Sequence, residues 1–370
     1  STTGLITAIK RRCPGSSGEW FYYGTTVQDI TDSWLMCALK DARAQLLAGV
    51  EQAINDTARL CESHRDTVMP GRTHGQQGLP ITFGYKASSW LMELQRHRAR
   101  LRQLAERMDI GQLCGGVGSL SALGAQGIEI QAAFCDRIGL RPPVTSWIVS
   151  RDVFVEWAQV LTLIAGTADR IGHEVYLLQR DEIGELREGA RREQVGSITM
   201  PHKRNPEISE HLGTLSRVVR ANTTALAESL PHDHERDGRS WKLEWHAVPE
   251  LTMAAGKAVR LLADLLAGLE VDAARMHRNL DASDDRIFSE SLMLELAVHV
   301  GKQSAHAIVH RVAGDATQAQ IPFKQAVQAD SEVLAVLGPA EIDRTFDPSI
   351  QTGQCGPLVD RALSALAAEG

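Results

Sequence analysis

Apolar residues recur along this chain with the period of a helix. After Asp152, the positions Trp157, Leu161, Ile164, Ala168, Ile171, Val175 and Leu178 follow at spacings of 4, 3, 4, 3, 4 and 3. That lays them on one stripe of a helical surface. The pattern runs to about Glu188, which at ~1.5 Å per residue predicts a helix roughly 50–55 Å long. A second long helix is predicted from Asp32 to about His64, through Leu35, Leu39, Ala42, Leu46, Val50, Ala53, Thr57 and Leu60. A third is predicted from about Phe83 to Met108, through Ala87, Leu91, Leu94, Leu101 and Leu104. Two more are expected at about 206–229 and 248–269. Strand-like alternation is scarce. The fold class is therefore all-α, a bundle of unusually long helices.

These helices carry apolar residues on more than one stripe, as at Leu35, Met36 and Leu39 or Leu177, Leu178 and Ile183. An arc that wide needs neighbours on several sides, so oligomer partners are expected to cover what one chain cannot. The last hundred residues differ. Their helical patterns are shorter, with breaks at Asp281–Asp285, Ile321-Pro322 and Phe346-Asp347-Pro348. The expected organisation is a remnant of an N-terminal domain at 1–18, a central long-helix domain at 19–259 and a small C-terminal helical domain at 260–370. The chain opens on Ser-Thr-Thr instead of Met, and an earlier part of the first domain is expected to be missing.

Composition narrows the functional classes. A charged fraction of 23% and an apolar fraction of 43% are those of a globular protein. A formal charge of −7 lacks the basic surplus of a nucleic-acid binder. No uninterrupted apolar run of about 18 residues marks a membrane span. The cysteines, Cys13, Cys37, Cys61, Cys114, Cys135 and Cys355, are widely scattered, which favours reduced thiols and a cytoplasmic setting over a disulfide framework.

The chemistry lies in the joints between long helices. Three of them, YYGTTVQD at 22–29, MPGRTHGQQGLPITFG at 69–84 and GSITMPHKRNPEISE at 196–210, are rich in Gly, Thr, His and Pro. Each stands just upstream of a helix, where free backbone N–H groups and the helix dipole attract anions. In the third, Asn205-Pro206 reads as a helix start. Lys203 and Arg204 add charge there, and Asn205 adds an amide donor. Gly196 leaves Ser197 exposed beside cations and backbone donors, which lower the cost of its alkoxide. Glu210, one turn into the helix, is placed to orient an imidazole such as His74 from the second joint, making an acid/base pair. Gly189 and Gly196 give 189–206 the freedom expected of a lid.

The run Gly-Ser-x-x-Met-Pro-x-Lys-x-Asn-Pro at 196–206 resembles the signature of the fumarase/aspartase superfamily of lyases. The likeness extends through YYGTTVQDITDS, GRTHGQQGLPITFG, QLCGGVGSLSALGAQG and SRDVFVEW over almost the whole chain. The resemblance implies a homotetramer whose long helices form a shared bundle, with each active site assembled from three subunits. It implies an anti β-elimination of a small dicarboxylate-type substrate, leaving a fumarate-like double bond, with no metal or organic cofactor. On this chain Ser197 matches the serine that takes a proton from the carbon next to a carboxylate. Lys203 and Asn205 match residues that hold that carboxylate, and His74 with Glu210 matches the pair acting on the leaving group. Thr26, Arg72, Thr73, Gln76 and Arg151 join the expected substrate contacts.

Adenylosuccinate lyases and 3-carboxy-cis,cis-muconate cycloisomerases resemble the chain most within that superfamily. FDPSIQTGQCGPLVDRALS and HERDGRSWKLEWHAVPE lean to the cycloisomerases. GRTHGQ leans to adenylosuccinate lyases, because cycloisomerases usually lack that His. Val27 stands where the family has Ser or Thr, Tyr22 where it commonly has His, and Ile198 replaces a second signature Ser. The Thr-x-His-Asp stretch that serves nucleotide substrates has no counterpart in Thr2-Thr3-Gly4-Leu5. The leading expectation is a lyase acting on a substituted succinate. A cycloisomerase, an adenylosuccinate lyase and a non-catalytic relative are the alternatives. The pair His232-x-His234 lacks a third ligand at metal spacing, and Trp241 with Trp245 reads as core packing.

Overall fold

The computed structural model describes residues 2–189, 200 and 202–369. Helix α1 is Thr2–Lys10, and five long helices follow: α2 at Val27–Ser63, α3 at Phe83–Met108, α5 at Asp152–Leu178, α6 at Glu207–Ala227 and α7 at Gly238–Ala267. A shorter α4 spans Gly127–Arg137. The all-α class is observed. All seven stripe residues of α5 and all five named for α3 are buried. No helix among the described residues is long and apolar enough to cross a membrane.

Three predicted boundaries move, each for a physical reason. Helix α5 stops at Leu178, ten residues early, so its length is about 40 Å at ~1.5 Å per residue. Beyond it Gly184 takes a left-handed φ of +63° and the Glu185 N–H returns to the Leu178 carbonyl at 2.9 Å. Helix α7 begins ten residues before the expected 248. Asp237 caps it by accepting the Arg239 N–H at 2.8 Å, and its first turns bury Trp241 and then Glu244, an acid that interrupts the apolar pattern. Helix α2 begins at Val27 because its first turns bury Gln28, Asp29, Asp32 and Ser33.

Contacts group the chain into two compact units. One comprises Ser1–Glu51, Arg96–Asp169 and His211–Leu262. Within it α2 and α7 pack closely at Gly49, where a Cβ would stand 2.6 Å from Val259 Cγ1. The Trp157 indole donates to Thr252 Oγ1 at 2.9 Å. Trp245, read as core, is half exposed instead and stands edge-on to the buried Trp241.

The other unit comprises Gln52–Gln95, Arg170–Glu210 and Ala263–Gly370. It contains an unanticipated antiparallel hairpin, β1 at Val68–Thr73 and β2 at Gln76–Thr82, with Thr73 opposite Gln76. A second pair joins β3 at Leu186–Arg187 to β4 at Glu270–Val271. The short helices are α8 at Ala273–Asp281, α9 at Ser289–Val300, α10 at Lys302–Ala319, α11 at Phe323–Ala329, α12 at Ser331–Leu334, α13 at Pro339–Thr345 and α14 at Cys355–Glu369. Their breaks fall where the sequence placed them. Leu292, Leu296, Val312, Phe323, Val327 and Ile342 belong to the apolar cluster that they enclose.

Candidate active site

The third joint opens a cleft of about 620 Å³ in the second unit. Its walls include Arg180, Arg187, His202, Lys203, Arg204 and Asn205, with Asp181 and Glu182 as the acids. Four permanent cations stand against these two carboxylates and Glu270, the partner of Arg204, which leaves a positive excess that attracts anions. Lys203 is exposed to solvent, and its N–H closes a turn on the Met200 carbonyl at 2.9 Å. Arg204 is committed within the protein. It grips Glu270 at 3.0 and 3.1 Å and also donates to the Glu188 carbonyl. Those bonds, Glu270 foremost, raise its pKa. Ser197 lies outside the described residues. Asn205 lines the cleft, and Glu210 is exposed on the first turns of α6.

At the start of helix α6, where an anion site was expected, two N-terminal amides are taken by the chain itself. Glu188, only 5% exposed, accepts from the Ile208 N–H at 3.0 Å, the Ser209 N–H at 2.7 Å and the Ser209 hydroxyl at 2.7 Å. A carboxylate supplied by the chain itself satisfies the helix start. The start of α3 is likewise closed. Phe83 and Gly84 donate to the carbonyls of Thr67 and His64 at 2.8 Å, and Tyr85 donates to Thr82 Oγ1 at 3.2 Å.

His74 sits at the tip of the β1–β2 hairpin. It and Gly75 both have positive φ, 52° and 75°, as a two-residue type I′ turn requires. His74, Thr73 and Gln76 are all exposed, so the hairpin holds an imidazole out beyond its own chain. Arg72, one of the expected substrate contacts, already has a partner within the chain. Its guanidinium is committed to Glu185 in a two-pronged pair at 2.8 and 2.6 Å, and the acid is wholly buried.

Arg151, another of the expected contacts, is built into the interior. Its guanidinium is 0% exposed and pairs with Asp32 at 2.7 Å and Glu244 at 2.5 Å. It also lies over the rings of Trp147 and Phe154, 5.2 and 4.6 Å from their centroids. Burial works against its charge, but the bonds to Glu244 and the charge of Asp32 outweigh that and raise its pKa. It holds the first unit together from within.

Thr26 stands half-buried before α2, its N–H donated to Asp29 Oδ2 at 2.9 Å. The same carboxylate accepts from Cys114 at 2.8 Å and Gly115 at 3.0 Å. The glycine-rich stretch after Cys114 is thereby a backbone partner of the first joint. Burial pushes the Asp29 carboxyl up, against the pull of those amides. Gly24 permits the close fit. Its φ is +75°, and a Cβ there would stand 2.6 Å from Leu123 Cδ2. The Tyr22 hydroxyl beside this joint is buried with no hydrogen-bond partner among the described residues. No group of three or more metal-ligating side chains occurs among the described residues.

The buried acids Asp29, Asp32, Glu185, Glu188 and Glu244 escaped sequence reasoning. Their one signal was position, since Asp32 and Glu244 each fall on the buried face of a long helix.

Comparison with known proteins places this arrangement. The profile of a family described as "Lyase" matches residues 6–221, and one described as "Adenylosuccinate lyase C-terminus" matches residues 285–362. An N-acetyl-S-(2-succino)cysteine lyase of Enterococcus italicus is 38% identical over 356 residues, 96% of this chain and 78% of that protein. A 3-carboxy-cis,cis-muconate cycloisomerase of Pseudomonas aeruginosa is 36% identical over 367 residues, 98% of this chain and 80% of that protein. The crystal structure of a 3-carboxy-cis,cis-muconate lactonizing enzyme from Pseudomonas putida aligns with a TM-score of 0.92 at 32% identity, covering 98% of this chain and 82% of the other.

Proposed function

The chain belongs to the fumarase/aspartase superfamily of lyases, and from that premise we propose that it splits a 2-substituted succinate by anti β-elimination. The products are fumarate and a free thiol or amine. Ser197 removes the proton from the carbon beside one carboxylate. Lys203 and Asn205 hold that carboxylate as it takes up the electron pair, and His74, oriented by Glu210, protonates the departing heteroatom. The fixed cation acts where charge develops, which lowers the barrier more than the ground state. No cofactor takes part in these steps. The observation that carries the reading is the cationic cleft at Lys203 and Asn205, directly downstream of the signature serine.

The leaving group we favour is a thiolate, in an S-(2-succino) thioether of a cysteine derivative. The likeness to the Enterococcus italicus enzyme, at 38% identity, supports it. A thiol is a better leaving group than an amine and needs less help from the exposed His74. A panel of S-(2-succino)cysteine, its N-acetyl form, N-succinyl amines and 3-carboxy-cis,cis-muconate, followed by fumarate absorbance and by lactone formation, tests this directly. The expected result is fumarate from the thioethers at the highest kcat/KM. Lactone formation without fumarate would instead establish the cycloisomerase, which the likeness to the Pseudomonas aeruginosa enzyme favours.

The working unit in this reading is a homotetramer, with three subunits contributing to each site. Large apolar side chains on the long helices support it: Trp34 is 68% exposed on the single chain, Met253 66% and Leu163 48%. Light scattering is expected to give the mass of four chains, and a monomeric, active protein would refute the shared site.

A further inference from the structure

Two buried carboxylates that the proposed chemistry does not use, Glu185 and Glu188, flank β3. Glu185 holds the hairpin of His74. It takes both prongs of Arg72 at 2.8 and 2.6 Å and the Asn279 amide at 2.7 Å. The Asn279 carbonyl in turn accepts from Gln77 of β2 at 2.8 Å. Glu188 holds the start of α6 through Ile208 and Ser209. An odd separation of three residues sends side chains of an extended segment to opposite sides, and here the two acids meet different elements.

Little slack separates them. Leu186 is 1% exposed, and it and Arg187 pair with Val271 and Glu270. The Glu185 carbonyl accepts from Asp272 at 3.0 Å. The Glu188 N–H donates to the Gln179 side-chain carbonyl at 2.9 Å, whose amide donates to the Arg204 carbonyl at 2.9 Å. Both carboxylates are saturated with donors, so breaking either arm strands a buried charge.

We infer that Glu185 and Glu188 are positioning residues that work as one bracket, fixing the His74 hairpin relative to the helix start that carries Lys203, Asn205 and Glu210. The catalytic part of this inference rests on the function proposed above. A displaced hairpin disturbs proton delivery to the leaving group. A loosened α6 start disturbs the grip on the carboxylate. The single peptide segment between them transmits either disturbance to the other side.

The test is Glu185→Gln and Glu188→Gln in the full chain, beginning with amide hydrogen exchange over residues 68–82 and 207–211. Either substitution is expected to speed exchange about tenfold or more in both segments, because each amide loses protection when its partner is free to open. Faster exchange confined to the segment each acid touches would overturn the bracket. Should Glu185→Gln fail to fold, Arg72→Lys removes the fork while keeping the charge and is read in the same way. Kinetics then separate positioning from mere stability. Per folded site, Glu185→Gln is expected to lower kcat about 100-fold, the scale of a misplacement near 1 Å, with KM little changed. Glu188→Gln is expected to raise KM about tenfold, as lost ground-state binding does. Unchanged kcat and KM in both variants would overturn the positioning role. A wild type that releases no fumarate refutes the proposed function, while the exchange result still decides the bracket.

Discussion

Replacing Ser197 with alanine is expected to lower kcat for fumarate release by about 10³-fold or more, within the ~10²–10⁴ that a positioned base contributes. A C–H beside a carboxylate is a weak acid, because its loss places a second negative charge on a group that already bears one. Two things reduce that cost. In the proposed mechanism a cation and an amide at Lys203 and Asn205 neutralise the growing charge, and Ser197 takes the proton. The substitution removes only the second, so KM for the succinyl thioether should stay within a few-fold while kcat falls. The variant should also retain the wild-type mass and helical circular dichroism, since the substitution leaves the buried stripes of α3 and α5 unaltered in sequence. Exchange of the substrate C–H with solvent deuterium gives a second readout and should vanish with turnover. A variant within tenfold of the wild-type rate would place the base on another residue, and the proposed mechanism would fail at its first step.

The long helices were legible because burial on them is governed by apolar side chains at helical spacing. Where the buried face uses charge instead, the same reading slips. The true starts of α2 and α7 lie beyond Asp32 and Glu244, two acids that interrupt the stripes because Arg151 neutralises them from a third segment. A sequence displays the acids and the arginine, but pairing across 119 and 93 positions is a tertiary fact. The hairpin of His74 had a local signal that was passed over: His-Gly between Thr73 and Gln76 has the residue preference of a two-residue turn. The signature at 196–206 marked the candidate site. That Arg204 is already held could not be read from it, because Glu270 and the Glu188 carbonyl meet it only in space.

Arg151→Met is expected to destabilise the protein by about 3–5 kcal/mol, the cost of leaving a buried charge uncompensated. Asp32 and Glu244 are each about as buried as Arg151 itself. Methionine fills much of the volume but offers neither acid a donor. Both must then desolvate unpaired, or draw protons or water into the interior. The loss should appear as a lower denaturant midpoint and a lower Tm, measured at matched protein concentration because association contributes to apparent stability. A companion variant isolates the cause. Asp32→Leu and Glu244→Leu added to Arg151→Met replace the whole charged cluster with apolar side chains, and such replacements are often neutral or stabilising. The triple variant is therefore expected to recover most of the loss, although it contains more changes. An arginine that served substrate binding would behave otherwise: its removal would raise KM at little cost in stability, and two further substitutions would deepen the defect. A single variant costing under about 1 kcal/mol, the range of an exposed ion pair, would show that this cluster does not support the first turns of α2 that follow Thr26.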